Sequence, residues 1–302
     1  LCVFLSASCY RRTRVDPLED RIEIAADSVI FAVIGDYGDS SRAEGQVANL
    51  VKSWDPDLII TLGDNNYDFG DSKTLVRNIG RFYGDYIYNP DAPEDQRVRG
   101  KAWREKLNRF FPSPGNHDYY NLRGLSPYLE YFTLPGNELY YDFIWGPVHF
   151  FSLNSGKLGK LNPDSEQLTW FKKRLVVSDS PWKIVYFHHP PYSISNHGNH
   201  PDWQLPYRQW GVSAVLSGHD HVYERIQEKQ FPEFAWFVNG TGGRSTLYNC
   251  YPEKLDTSRF NVTCLNCCYG AMKVTATAGK IVFEYFSVNQ SDSALDRWML
   301  KK

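Results

Sequence analysis

The chain has 302 residues, 42% apolar and 23% charged, with 33 basic against 35 acidic side chains and a formal net charge of −2. That balance excludes a disordered chain and a surface built for nucleic acid, which would carry a basic excess or a basic run. No stretch approaches the roughly 20 apolar residues of a bilayer-spanning helix, and the 16% aromatic content points to a densely packed core.

The first residues read as a leader. Leu1 to Leu5 is apolar and precedes Ser6-Ala7-Ser8, the pattern of a signal-peptide end with its small-residue cleavage zone. Residues 1–8 are therefore expected to be a signal-peptide remnant, and the destination secreted, lysosomal or vacuolar, or periplasmic. Cys9 leaves a lipid anchor open, although the residues ahead of it match a lipobox only loosely. After a charged stretch up to Asp27, residues 29–34 form a continuous apolar run, as a buried strand requires, and end at Gly35-Asp36. Residues 41–54 carry Val47, Leu50 and Val51 at helical spacing, and a second buried strand, 58–62, ends at Gly63-Asp64. Strand, helix, strand, with a carboxylate closing each strand, is the pattern of an α/β unit that keeps its chemistry at the strand ends.

Helices are expected over 74–86 and 102–110, and Pro112-Ser113-Pro114-Gly115 as a loop. Downstream, 140–145 and 148–153 read as a hairpin about Gly146-Pro147, 164–176 as an amphipathic helix, and 183–187 as a strand ending at His188. Residues 213–216 lead to Gly218-His219, and 234–238, 271–276 and 280–286 supply further strands. No linker-like break appears, so residues 28–290 read as one catalytic domain in which two sheets face each other. Four of the six cysteines crowd one segment, about 244–268: Cys250, Cys264, Cys267 and Cys268. That segment lacks histidine and adjacent cysteines chelate poorly, so disulfides in an oxidising compartment are the better reading, with connectivity open. Sequons stand at Asn239, Asn261 and Asn289, of which Asn239 closes an apolar run and is the least accessible.

Metal-competent side chains recur at strand ends or turns: Asp36, Asp64, Asn116 with His117, His188, and His219 with His221. A single histidine such as His149 reads as a satisfied core residue. The set does not, because burying several carboxylates and imidazoles together is costly unless a cation joins them. Oxygen and nitrogen donors suit Fe, Mn or Zn, and their number suits two ions, which can hold both oxygens of a phosphoryl displacement.

In order along the chain stand Gly35-Asp36-Tyr37-Gly38, Gly63-Asp64-Asn65-Asn66-Tyr67, Gly115-Asn116-His117-Asp118, Val185-Tyr186-Phe187-His188 and Gly218-His219-Asp220-His221. These five blocks resemble those of the purple acid phosphatases, within the calcineurin-like metallophosphoesterases. General members carry D-x-H and G-D-x-x-D in the first two blocks. Here Gly38 replaces that histidine and Tyr67 the second aspartate, an exchange in which a hard phenolate substitutes for the imidazole and favours Fe(III). The resemblance implies a four-layer αββα sandwich of two facing mixed sheets. It assigns Asp36, Tyr67 and His221 to a trivalent iron, Asn116, His188 and His219 to a divalent Fe, Zn or Mn, and Asp64 as the bridge between them. His117 and His197 match positions facing the phosphate and leaving group, with Asn116 also on the substrate side. The segment His197-Gly198-Asn199-His200 and Asp220 look like the small, tartrate-resistant type.

The implied reaction is hydrolysis of phosphate monoesters in acid, a metal-bound hydroxide attacking phosphorus while His117 and His197 stabilise charge and protonate the leaving alcohol. The expected partner is a small phosphate ester, drawn by a local field of about +2 that the whole-chain charge conceals. Diesters, pyrophosphates or nucleotides on the same centre, a redox-active di-iron protein, and a silent binding protein on the same fold are the competing readings. His189 and the tyrosines 83, 86 and 88 read as packing, Asp118 as a carboxylate orienting His117 or a ligand, and His200 stays undecided. The cysteine-rich segment reads as a disulfide-braced loop at the mouth of the site.

Overall fold

Continuous apolar runs become the inner strands of two stacked sheets in the computed structural model, which describes residues 22–156, 165–244 and 246–302. In chain order the first strands are β1 (Ile22–Ile24), β2 (Ser28–Ile34), β3 (Leu58–Thr61), β4 (Phe110–Pro112), β5 (Tyr141–Trp145), β6 (Val148–Ser152) and β7 (Trp182–Tyr186). The remainder are β8 (Ala214–Ser217), β9 (Tyr223–Glu228), β10 (Ala235–Asn239), β11 (Phe260–Leu265), β12 (Gly270–Thr277), β13 (Lys280–Ser287) and β14 (Asp296–Lys301). One sheet has the order β1-β5-β6-β7-β8-β10-β9-β11 and the other β14-β13-β12-β2-β3-β4. Both are mixed: β2, β3 and β4 run parallel, as do β6, β7, β8 and β10, while the outer strands are largely antiparallel.

Aromatic rings join the facing sheets. Phe31 meets Phe150 edge-on at 4.9 Å, Phe237 stacks on Phe283 at 5.1 Å and Tyr223 on Tyr285 at 4.1 Å. Helices cover the outer faces. The helix Glu166–Val176, capped by Ser165, lays Leu168, Phe171 and Leu175 against Phe151, Val185 and Val215. On the far side, the helix Arg42–Ser53, capped by Ser41, buries Val47, Ala48 and Val51. The result is the expected four-layer sandwich. Among the described residues, no helix is long and apolar enough to cross a membrane.

Several expectations are corrected. The helix expected over 102–110 is Lys101–Glu105 only: Lys106 turns into the left-handed region at φ 54°, and Phe110–Pro112 then pairs with β3. The segment 74–86 is helical only as a π-helical turn, Val76–Gly80, followed by Arg81–Tyr83. Strands β1, β4, β9, β11 and β14 were not expected. They are short, or carry polar residues on a solvent side, so period-two alternation is weak in them. Strands β1 and β14 extend the sheets beyond residues 28–290, because each supplies the backbone pairing of an otherwise open edge. Residues 1–8, Cys9 and the Asp164 start of the expected helix lie outside the described residues.

His149 is a satisfied core histidine: Nε2 meets Asp142 Oδ2 at 2.6 Å and Nδ1 meets Ser178 Oγ at 2.7 Å. Arg174 closes the cluster from the covering helix, its Nη2 donating to Asp142 Oδ2 at 2.6 Å. Burial opposes ionisation of Asp142, but the His149 and Arg174 bonds outweigh it and hold its carboxyl below the usual range. Stability from such a lowered group is present above the ordinary carboxylate pKa and is lost as pH falls through the folded value. Asp142→Asn should therefore cost about 3 kcal/mol or more at pH 7 in urea unfolding, with the gap to wild type closing below about pH 4.

Candidate metal centre

Six strands deliver the site at one edge of the sandwich. The parallel strands β2, β3 and β4 end just before Asp36, Asp64 and the Asn116-His117 turn; β7 and β8 end just before His188 and His219; β10 ends ahead of Arg244. The turns are tight enough to hold Asp36, Asp64 and His219 at positive φ, 56°, 51° and 72°. Such a conformation in residues other than glycine costs on the order of 1–3 kcal/mol each and persists only where the surroundings enforce it. Two glycines are sterically required. A Cβ on Gly38 would lie 1.7 Å from Asn65 O, and one on Gly63 2.5 Å from His188 Nδ1. The position that holds histidine in general members thus has no room for a side chain.

All seven expected ligands converge, as two triangles sharing Asp64. In the first, Tyr67 OH lies 3.2 Å from Asp36 Oδ1 and 3.3 Å from His221 Nε2, which is itself 3.5 Å from Asp36 Oδ1. In the second, His188 Nε2 lies 3.0 Å from Asn116 Oδ1 and 3.1 Å from His219 Nδ1. Asp64 turns Oδ2 to Tyr67 OH at 3.0 Å and Oδ1 towards His188 Nε2 at 3.4 Å. Donor atoms that share one ion at roughly 2.0–2.2 Å stand about 3 to 3.5 Å from each other.

The tautomers make the same case. His188 Nδ1 donates to Leu62 O at 2.8 Å and His221 Nδ1 to Thr246 O at 2.6 Å. Each Nε2 is left to present a lone pair to oxygen lone pairs. Without a metal ion the cluster has to recruit protons. Burial pulls His188 down, but Asp64 and Asp36 push it up to about 9. Burial likewise opposes protonation of His221, which Asp36 overcomes. His219, desolvated and crowded by His188 and its neighbours, goes the other way. Burial favours a neutral Asp64, yet His188 and His117 hold it far below the carboxylate range. Among the described residues, the ion-pair partners of Asp36 and Asp64 are histidines alone. The donor set fits metal ions, and would bind them by exchanging protons for cations.

A cavity of about 390 Å³ opens over the cluster, lined by His117, His197, Tyr120, Arg244 and Tyr248 among others. His117 is fixed by its N–H to Asp64 Oδ1 at 2.8 Å and by Nδ1 to Asp68 O at 2.7 Å. His197 stacks on His219 at 4.1 Å, and its backbone N–H donates to Asp220 Oδ1 at 2.8 Å. Asp118 acts on the ligand turns through their backbone, not on the His117 ring or a ligand side chain. Its carboxylate accepts from Gly115 N, Asn65 N and Asn65 Nδ2, tying the two ligand turns together, and burial with the nearby Asp64 raises it to about 7.

His189 is buried, with Nδ1 3.1 Å from Ser155 Oγ. Its ring is 4.9 Å from His200, which also lies 5.4 Å from His219. Tyr83 and Tyr86 are core residues, and Tyr88 packs on Trp103. Sequence reasoning missed Arg244, Tyr120, Tyr248 and the carbonyls of Leu62, Asp68 and Thr246, because backbone acceptors and lone aromatic residues leave no spacing to read. Tyr248 lies flat against His221 at 4.4 Å, two residues before the Cys250–Cys264 disulfide, so the cysteine-rich segment does reach the mouth of the site. Its other pair, Cys267 and Cys268, is reduced. Asn239 is buried and donates to Val33 O, whereas Asn261 and Asn289 are exposed.

A family model for calcineurin-like phosphoesterases matches residues 29–223. Purple acid phosphatase 23 of Arabidopsis thaliana is 31% identical over 223 residues, covering 65% of this chain and 47% of its own length. Tartrate-resistant acid phosphatase type 5 of Mus musculus is 27% identical over 234 residues, covering 66% of this chain and 68% of its own. Among solved structures, purple acid phosphatase PPD1 from yellow lupin (Lupinus luteus) seeds superposes with a TM-score of 0.67 at 17% identity. It covers 92% of this chain and 54% of the lupin chain. The Plasmodium protein GAP50, described as the anchor in the inner membrane complex, gives 0.65 at 17% identity over 91% and 89% of the two chains. This chain thus spans about half the length of the Arabidopsis relative and of the lupin structure.

Protein stripped with a chelator and titrated with Zn²⁺ or Mn²⁺ should gain about 2.7 kcal/mol of stability at a free metal concentration 100 times Kd. Asp64→Ala, which removes both shared oxygens, should abolish that gain in thermal melts.

Proposed function

Because the chain belongs to the calcineurin-like phosphoesterase family, we propose that it is a metal-dependent acid phosphatase acting on phosphate monoesters at a binuclear Fe(III)–M(II) centre, M being Fe, Zn or Mn. The observation that carries this reading is Asp64, whose two oxygens face two separate donor triangles. Asp36, Tyr67 and His221 form the triangle with the phenol, a hard donor suited to Fe(III), and Asn116, His188 and His219 form the neutral one, suited to a divalent ion. When bound, the ion pair supplies Lewis acidity and an activated water as nucleophile.

The chain's own residues do the remainder. His117, with Nδ1 committed to Asp68 O, keeps Nε2 on the cavity side, 3.9 Å from Asp64 Oδ2, where it meets an oxygen of the phosphate. Asn116 Nδ2 donates to Tyr120 OH at 2.9 Å, which turns its carbonyl oxygen towards His188 and lends the substrate side a defined edge. His197 stands exposed on its own turn and delivers a ring proton to the departing alcohol oxygen as the P–O bond breaks. Asp220 keeps that ring on station by accepting the 197 and 198 backbone N–H groups.

The Cys250–Cys264 disulfide and the exposed sequons at Asn261 and Asn289 favour a secreted, lysosomal or vacuolar, or periplasmic setting.

Purified protein should carry two metal ions per chain, absorb visible light when oxidised, and hydrolyse an aryl phosphate fastest below neutral pH. Protein that binds no metal and shows no turnover would refute the reading. Tyr67→Phe should bleach the colour. His197→Ala should lower kcat by roughly 10²-fold with metal content intact, and loss of metal instead would mark His197 as a ligand.

A further inference from the structure

Among the described residues that line the cavity, Arg244 is the one arginine or lysine, and no step above employs it. Its backbone is held from two sides. Arg244 N donates to Asp36 O at 3.0 Å, and Ser41 Oγ, at the start of the helix Arg42–Ser53, donates to Gly243 O at 2.7 Å. Gly243 lies close against that helix, since a Cβ there would be 2.4 Å from Glu44 Cα. From that stem the guanidinium carbon reaches 4.4 Å from the centre of the Tyr67 ring. Nη2 pairs with Asp68 Oδ1 at 2.6 Å, and Nη1 lies 3.6 Å from Asp39 Oδ2.

We infer that Arg244 is a positioning residue for Tyr67: its guanidinium, held over the ring by Asp39 and Asp68, sets how strongly the phenolate gives up its electrons. This rests on the reading of Tyr67 as a ferric ligand. A cation over an aromatic face stabilises the π electrons, and more so when the ring is anionic. The side chain is only 28% exposed, so water screens that attraction incompletely. A tyrosinate that holds its electrons more tightly needs more energetic light to pass one to the ferric ion, and its absorption band lies at shorter wavelength. Asp39 and Asp68 oppose this effect in proportion to their charge. Asp68 also touches His117, through its main-chain carbonyl, which accepts from His117 Nδ1.

Visible spectra of iron-loaded Arg244→Met, Arg244→Lys and Asp68→Asn, each with iron content measured, test the inference. Arg244→Met should keep its iron and the intensity of the band while the maximum moves to longer wavelength, and Arg244→Lys should move it less. Asp68→Asn leaves the guanidinium beside Asp39 but removes the closer of its two counter-charges, and should move the maximum to shorter wavelength. Packing alone does not predict shifts of opposite sign. A wild-type band that stays put in both Arg244→Met and Asp68→Asn would overturn the inference, as would loss of iron from Arg244→Met with a wild-type band in Arg244→Lys. Iron-bound wild type without any band would overturn the ligand reading of Tyr67, and this inference with it.

Discussion

The structure depends on one electrostatic constraint: two buried carboxylates, Asp36 and Asp64, sit where the sheets meet, and neither is neutralised by a lysine or arginine among the described residues. The protein has another way of burying an acid. Asp142 is equally enclosed but is given Arg174, two-pronged, and His149. The contrast between the two solutions is what marks the centre. Asp142 is complete as it stands, whereas Asp36 and Asp64 are given imidazole lone pairs, a phenol and a carboxamide oxygen, an environment that is coherent only around positive charge supplied from outside.

Much of the surrounding fold serves to hold that unfavourable grouping together. Left-handed backbone at Asp36, Asp64 and His219 stores strain that only a rigid frame can maintain. The frame consists of parallel strands whose carboxyl ends face the same edge, and of main-chain carbonyls that fix three of the rings: Leu62 for His188, Thr246 for His221 and Asp68 for His117. Such outer partners decide which nitrogen of a ligand ring is presented, and so matter nearly as much as the ligands. Two further acids near the site, Asp118 and Asp220, act mainly on backbone. Each accepts several N–H groups and fastens one turn to another.

The apolar strands and the chemistry at their ends were legible in the sequence because both are local: a run such as Phe31 to Ile34 followed by Gly-Asp announces itself within a few residues. The two-sheet sandwich was legible only through resemblance to a family. Edge strands such as β1 and β14 were not legible, since their stability comes from pairing with β5 and β13 rather than from their own pattern. The helix expected to run to 110 was misread for a related reason. Phe110 and Phe111 carry helix-compatible apolar spacing, but the open edge of β3 recruits them as a strand. At the site, motif and spacing pointed to most of the side chains that converge, Asp36, Asp64, Asn116, His188, His219 and His221, while Tyr67 was picked out only through the family resemblance. Arg244, Tyr120 and Tyr248 were not legible, because a side chain that acts by lying over another ring is defined by the fold alone.

The separation along the chain of the groups that meet at the centre has a consequence for stability. His219 N donates to the carboxylate of Asp36 across 183 positions, and the two triangles draw on segments from residue 36 to residue 221. Contacts of that range carry a loop-closure cost and need both sheets in place, as does the β2–β12 pairing at the centre of one sheet, so the pocket exists only in the docked fold. Parting of the sheets at that edge scatters the donors at once. Ions bound there would therefore act as a latch on the finished fold, favouring the state in which both sheets are docked.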